Sequence, residues 1–151
     1  MTKLTTTHST FVIERDLAHS PDKVFAAYAD PRKKSKWFGG PPDWDSHHEL
    51  DFRVGGKEMS RGGPSGGTVH TMNGRYWDIV ANERIVMSYE LLLGATRISV
   101  SLGTTEIKPS DAGTKLIYTE QGVYLDGYDD AGQREEGTRQ LLSQLDTFLS
   151  S

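Results

Sequence analysis

Cysteine is absent from this 151-residue chain, which removes disulfides, thiolate nucleophiles and zinc–thiolate sites from consideration. An excess of basic charge is missing too: 17 Lys and Arg stand against 21 Asp and Glu, for a net charge of −4. A phosphate-binding surface needs clustered Lys and Arg, so no nucleic-acid partner is expected. No apolar run approaches the ~20 residues of a membrane span, and the opening MTKLTTTHST lacks the apolar stretch of a secretory signal. A cytoplasmic protein is the expectation. Repeats, linkers and low-complexity tracts are also lacking, and the length suits a single domain spanning 1–151.

What is present begins with a helical elbow, SPDKVFAAYADPRKKSKWFGG, at residues 20–40. Ser20 suits an N-cap and Pro21 the first helical position, and Asp22 sits where the helix dipole favours negative charge. Val24, Phe25 and Tyr28 mark an apolar face at helical spacing. Pro31 disfavours helix at Asp30, ending the first helix and leaving Asp30 to cap a second. The only basic run, Arg32–Lys33–Lys34 with Lys36, reads as a solvated face of that second helix.

Most of the remaining chain carries a period of two. Phe11, Ile13 and Leu17 share a phase; so do Leu50, Phe52 and Val54, and again Ile85, Met87, Tyr89 and Leu91. Further strands are expected near 57–61, 69–80, 96–107 and 114–121, joined at glycine-rich and Asn- or Asp-containing turns. From about 132 to 150 the period changes. Leu141, Leu142, Leu145, Phe148 and Leu149 form one stripe of an amphipathic helix, and towards its start the stripe becomes small and polar at Thr138, Gly137 and Arg134. A glycine inside a helix costs about 0.5–1 kcal/mol relative to alanine, so Gly137 either admits a bulky sheet residue such as Trp77 or Tyr89, or faces a cavity.

About seven strands, two short helices after the first and one long terminal helix make an α+β chain whose antiparallel sheet must be covered by that helix. The order resembles the helix-grip fold of the START-like or SRPBCC superfamily. The segments RDLAHSPDKVFAAYADPRKKSKWFGG, LDFRVGGKE, GRYWDIVANERIVMSYEL and REEGTRQLLSQLDTFL resemble those of bacterial homologues of the heat-shock protein 90 ATPase activator. SVSLGTTEI and EQGVYLDGYDDAGQREEGT are similar to a polyketide-cyclase-like subgroup. The resemblance spans roughly residues 9–150. It implies a sheet curved around the last helix, with the elbow closing a cavity, on a scaffold that also hosts lipid binders, cyclases, hydrolases and chaperone partners.

The motifs that suggest catalysis fail on inspection. GPSGG at 63–67 matches the G-x-S-x-G nucleophile elbow, but strand-like sequence follows Ser65 where a helix is required. DGYDDAGQREEG lacks the glycine and the bidentate Glu of a calcium loop. His47 and His48 are adjacent, so on a strand they face opposite ways, and with His70 and Asp51 they make a poor metal site. No metal or cofactor is expected. Glu120 is the notable residue: in phase with Leu116 and Tyr118, it places a carboxylate on the inward face, where Arg134 or Arg15 would neutralise it. The expected ligand-binding set is Glu120, Arg134, Gly137, Thr138, Tyr76, Tyr89, Tyr118 and Trp77.

The leading expectation is a domain that binds an unidentified apolar or amphipathic small molecule between sheet and long helix, with no evident catalytic machinery. One alternative is a chaperone-interacting module using the acidic DGYDD loop and the basic RKK run. Another is a cyclase or hydrolase pairing Glu120 with a tyrosine as acid and base. A second copy of the chain is a further candidate partner.

Overall fold

A computed structural model describes residues 4–151. The order is β1 (Thr6–Leu17), α1 (Pro21–Ala29), α2 (Pro31–Trp37), β2 (Asp45–Leu50), β3 (Lys57–Gly63), β4 (His70–Val80), β5 (Arg84–Leu93), β6 (Thr96–Ser110), β7 (Gly113–Leu125) and α3 (Ala131–Leu149). The strands form one antiparallel sheet in the order β1-β7-β6-β5-β4-β3-β2. The α+β helix-grip expected from the sequence is therefore the observed fold. β1 lies across the sheet from β2 because the elbow carries the chain over the curved face between them.

Alternation decides which side chains face the helix. In β1, Phe11, Ile13 and Leu17 are buried while Val12, Glu14 and Asp16 are exposed. Their inward row meets Leu142, Leu145 and Leu149 of α3 and Val24 and Ala27 of α1 in one core. Every fully buried Leu or Ile of this kind contributes about 1.5–3 kcal/mol over an exposed one.

The elbow is locked by specific bonds. Asp30 caps α2, its carboxylate accepting from the Arg32 amide at 2.9 Å. The Trp37 indole donates to the Ala27 carbonyl at 3.0 Å and packs edge-on against Tyr28. Gln144 then donates to the Trp37 carbonyl at 2.7 Å, and Lys23 to the Leu149 carbonyl at 3.0 Å, fastening the far half of α3 to the elbow. Ser20 differs from expectation: its hydroxyl makes no cap, and only its carbonyl serves α1, accepting from the Val24 amide at 3.0 Å.

Two further expectations need correction. β2 stops at Leu50 and does not run on to Val54, which is 58% exposed. The chain turns instead, with the Gly56 amide donating to the Arg53 carbonyl at 2.8 Å and Gly55 at φ +84°, a left-handed backbone that glycine adopts freely. Lys34 does not lie on a solvated face. It is 3% exposed, because three residues before Trp37 it shares that residue's inward side of α2.

Candidate functional site

Strand register sets out the inward face as three parallel rows. The first runs Glu120, Gly103, Met87, Tyr76 across β7, β6, β5 and β4. The second runs Gly122, Ser101, Tyr89, Gly74, Glu58, reaching β3. The third runs Tyr124, Ser99, Leu91, Met72, Ser60, His48, reaching β2. Polar residues stand at both flanks and methionines and leucine in the middle. Four strand spacings of about 4.8 Å separate β7 from β3, so the flanks lie about 19 Å apart along the sheet. Over this face, α3 and the elbow leave a cleft of about 1600 Å³, partly open to solvent.

The β7 flank is built around Glu120, which is 1% exposed. Its Oε1 accepts from the hydroxyls of Tyr118 at 2.6 Å and Tyr89 at 2.7 Å, and its Oε2 faces Arg134 at 3.4 Å. The Arg134 guanidinium also donates to Tyr89 Oη at 3.0 Å, Ser99 Oγ at 2.7 Å and Asp129 at 2.8 Å. Burial, then the neighbouring Glu120, pushes the Tyr89 and Tyr118 hydroxyls well above their ordinary range, so both remain donors. Burial opposes the charge on Arg134, but Tyr89, Glu120 and Asp129 outweigh it and raise its pKa. Gly103 is required here: a Cβ at that position would lie 2.6 Å from Tyr118 Oη.

The opposite flank holds a second cluster. Glu58, 1% exposed, accepts from Lys34 Nζ at 2.7 Å and from the Tyr76 hydroxyl through Oε1, while its Oε2 meets His48 Nε2 at 2.7 Å. Lys34 also sits 4.5 Å from the Phe38 ring centroid. Burial alone would raise Glu58, but the Lys34 ammonium and the bonds from His48, Lys34 and Tyr76 bring it down to about 2. Burial, followed by Glu58, raises the Tyr76 hydroxyl.

The fold thus gathers Glu120, Arg134, Tyr89 and Tyr118 at one flank and sends Tyr76 to the other. Gly137 and Thr138 line the cleft along α3, and a Cβ built on Gly137 meets nothing within 4 Å. No sheet residue presses on that glycine. Trp77 does not join the set: it is 53% exposed on the outer face, where its indole donates to Ser88 at 2.8 Å beneath Arg75. Its neighbour Tyr76 takes the inward position, and a bulge follows at once. Arg15 does not reach Glu120 either; it meets Ser143 at 3.1 Å and Asp146 at 3.7 Å on α3. Lys34, Glu58 and His48 escaped the sequence reading. Two weak signals pointed to them, the spacing of Lys34 to Trp37 and the phase His48 shares with Leu50. His47 faces outward to Glu49, His70 stacks on Trp44, and Ser65 occupies the β3–β4 turn with no helix behind it.

This fold is shared with known proteins. The family model for activator of Hsp90 ATPase homolog 1-like protein matches residues 18–150. The chain belongs to that AHSA1-like family. An uncharacterized protein from Rhizobium leguminosarum is 42% identical over 99% of both chains, with a TM-score of 0.94. A protein from Rhizobium loti is 45% identical over 95% of this chain and 99% of its own, with a TM-score of 0.88. The AHSA1-like protein from Aeromonas hydrophila, at 15% identity, 94% and 92% coverage and a TM-score of 0.69, shares the fold. Among curated proteins none matches the chain. Among the described residues of this AHSA1-like protein, no helix is long and apolar enough to cross a membrane.

Proposed function

We propose that this AHSA1-like protein binds a small apolar or amphipathic molecule in the cleft between its sheet and α3. The observation that carries the reading is the cleft of about 1600 Å³ over a floor of Met72, Met87 and Leu91, along whose exposed edge Gly137 adds no side chain. Small-molecule sites are concave and mostly apolar, with a few placed polar groups, and this cleft has room for a ligand of that size. Glu120, Arg134, Tyr89 and Tyr118 form one polar wall, with Thr138 beside them on α3.

The bonding around Glu120 argues against an acid/base role. Both its oxygens are engaged, and Tyr89 already donates to Glu120 and accepts from Arg134. The two patches nominated for chaperone contact are partly committed within the fold, while Arg32, Lys33, Tyr128 and Asp130 stay exposed. Asp126 accepts from the Thr5 amide, Asp129 holds Arg134, Asp130 caps α3, and Lys34 is buried. Native mass spectrometry of gently purified protein tests the proposal: a retained small molecule, released on denaturation, is expected. Protein that is ligand-free and takes up no apolar dye refutes it.

A further inference from the structure

The Glu58 carboxylate does more to His48 than neutralise a neighbour. An ionised carboxylate only accepts hydrogen bonds, so the His48 Nε2 that meets it at 2.7 Å must carry the proton. In its neutral form the ring presents Nδ1 as an acceptor. No protein group bonds to Nδ1 among the described residues, and the only sealed side-chain polar atom without a partner there is Tyr124 Oη, so Nδ1 is not walled in. The ring borders the cleft with its side chain 10% exposed, tilted against Phe38. Glu58 is fixed in turn by Lys34 and Tyr76, so the imidazole is held in one tautomer and one orientation by buried groups behind it. The opposite flank differs, because Glu120 and Tyr89 have spent their bonds on one another and on Arg134 and Tyr118.

We propose that His48 is a ligand-binding residue whose Nδ1 accepts a hydrogen bond from a hydroxyl group on the cleft's occupant, a hydroxylated apolar molecule. The inference rests on the cleft reading and narrows its ligand to one that carries an O–H donor on an apolar body. The body lies over Met72, Met87 and Leu91 while the hydroxyl reaches the β2 flank. Glu58, Lys34 and Tyr76 are positioning residues in this arrangement.

Two probes with the same body separate the possibilities: 1-hydroxypyrene, which donates, and 1-methoxypyrene, which does not. Fluorescence titration of the intact protein is expected to show 1-hydroxypyrene binding about fivefold more tightly, the worth of one net hydrogen bond. His48→Gln keeps an amide at the Nε2 position to hold Glu58 and removes the ring acceptor. That variant is expected to lose the preference while its affinity for 1-methoxypyrene holds. With histidine-labelled protein, the His48 Nδ1 nitrogen resonance is expected to be that of an unprotonated nitrogen, and to shift with 1-hydroxypyrene only. Equal binding of both probes to the parent, a preference retained in His48→Gln, or a proton on Nδ1 overturns the assignment and leaves the cleft reading standing. Failure of both probes to bind at all refutes the cleft reading itself, and this inference with it.

Discussion

Glu58 offers the sharpest test of how the cleft is held together. Burial alone would raise this carboxylate, yet Lys34 and the bonds from His48 and Tyr76 bring it from 4.5 to about 2. A carboxylate shifted that far contributes about 3 kcal/mol at neutral pH. Below 4.5 the unfolded chain takes up the proton that the folded chain refuses, so this stability is complete above about pH 5 and disappears as pH falls towards 2. Glu58→Gln removes the titration and leaves Lys34, 3% exposed, without its anion. Removing one member of a buried pair costs about 3–5 kcal/mol. Urea melts of parent and variant at pH 7, 5, 4 and 3 are expected to show that gap at pH 7, narrowing steadily below pH 5. Replacing both members, as in Lys34→Met with Glu58→Met, strands no charge and is expected to recover most of the loss. A gap below about 1 kcal/mol at pH 7, or one that does not change with pH, refutes the reasoning.

The other flank and α3 give parallel tests. Glu120→Gln leaves Arg134 with Asp129 alone and is expected to cost on the order of 3 kcal/mol in a denaturant melt, where an exposed carboxylate would cost under about 0.5. Gly103→Ala places a methyl 2.6 Å from Tyr118 Oη; the ring must leave Glu120, with an expected loss of about 1–3 kcal/mol and a changed tyrosine absorbance on titration. Gly137→Leu meets open space and gains up to about 1 kcal/mol of helix propensity, so its melting temperature should hold or rise while binding of an apolar dye falls. A drop in stability there would mean that the space is not empty.

The fold was legible because its signals were local and agreed with one another. The phases of β1 and β5, the Ser20–Pro21 and Asp30–Pro31 breaks and the leucine stripe of α3 all pointed to one arrangement. Glu120 with Arg134 was legible for the same reason, since a carboxylate in an inward phase needs a cation and a helix stripe supplied one. Lys34–Glu58–His48 was hidden because each member sits in a weakly patterned element: α2 and β3 have 7 residues each and β2 has 6. A lysine in a basic run reads as solvated until a distant strand is known to bring Glu58 beneath it. Trp77 failed for a different reason, since an aromatic residue on a strand has an apolar body whichever face it takes, and only register separated it from Tyr76.

Position also explains why the cleft stays open. Apolar surfaces with a gap between them tend to close, because unfilled contacts forfeit dispersion energy. Here the leucines of α3 pack only in its second half, at Leu142, Leu145 and Leu149. Its first half is tied to the sheet through Arg134, whose guanidinium must keep Ser99, Tyr89 and Glu120 within reach. On the far side, Lys34 ties α2 to β3 and β4 through Glu58 and Tyr76. A hydrogen-bonded charge fixes a distance and direction more narrowly than an apolar contact does, so the two clusters act as struts at the rims of the sheet. Between them, Gly137 and Thr138 reach too little distance to fill the gap. Collapse would bury the gap's apolar floor but break one strut, stranding a charge at about 3–5 kcal/mol. Met72 is already buried and Met87 and Leu91 are half-buried, so closure returns only a fraction of the about 1.5–3 kcal/mol that each full burial is worth, and the charged rims hold the helix off the floor.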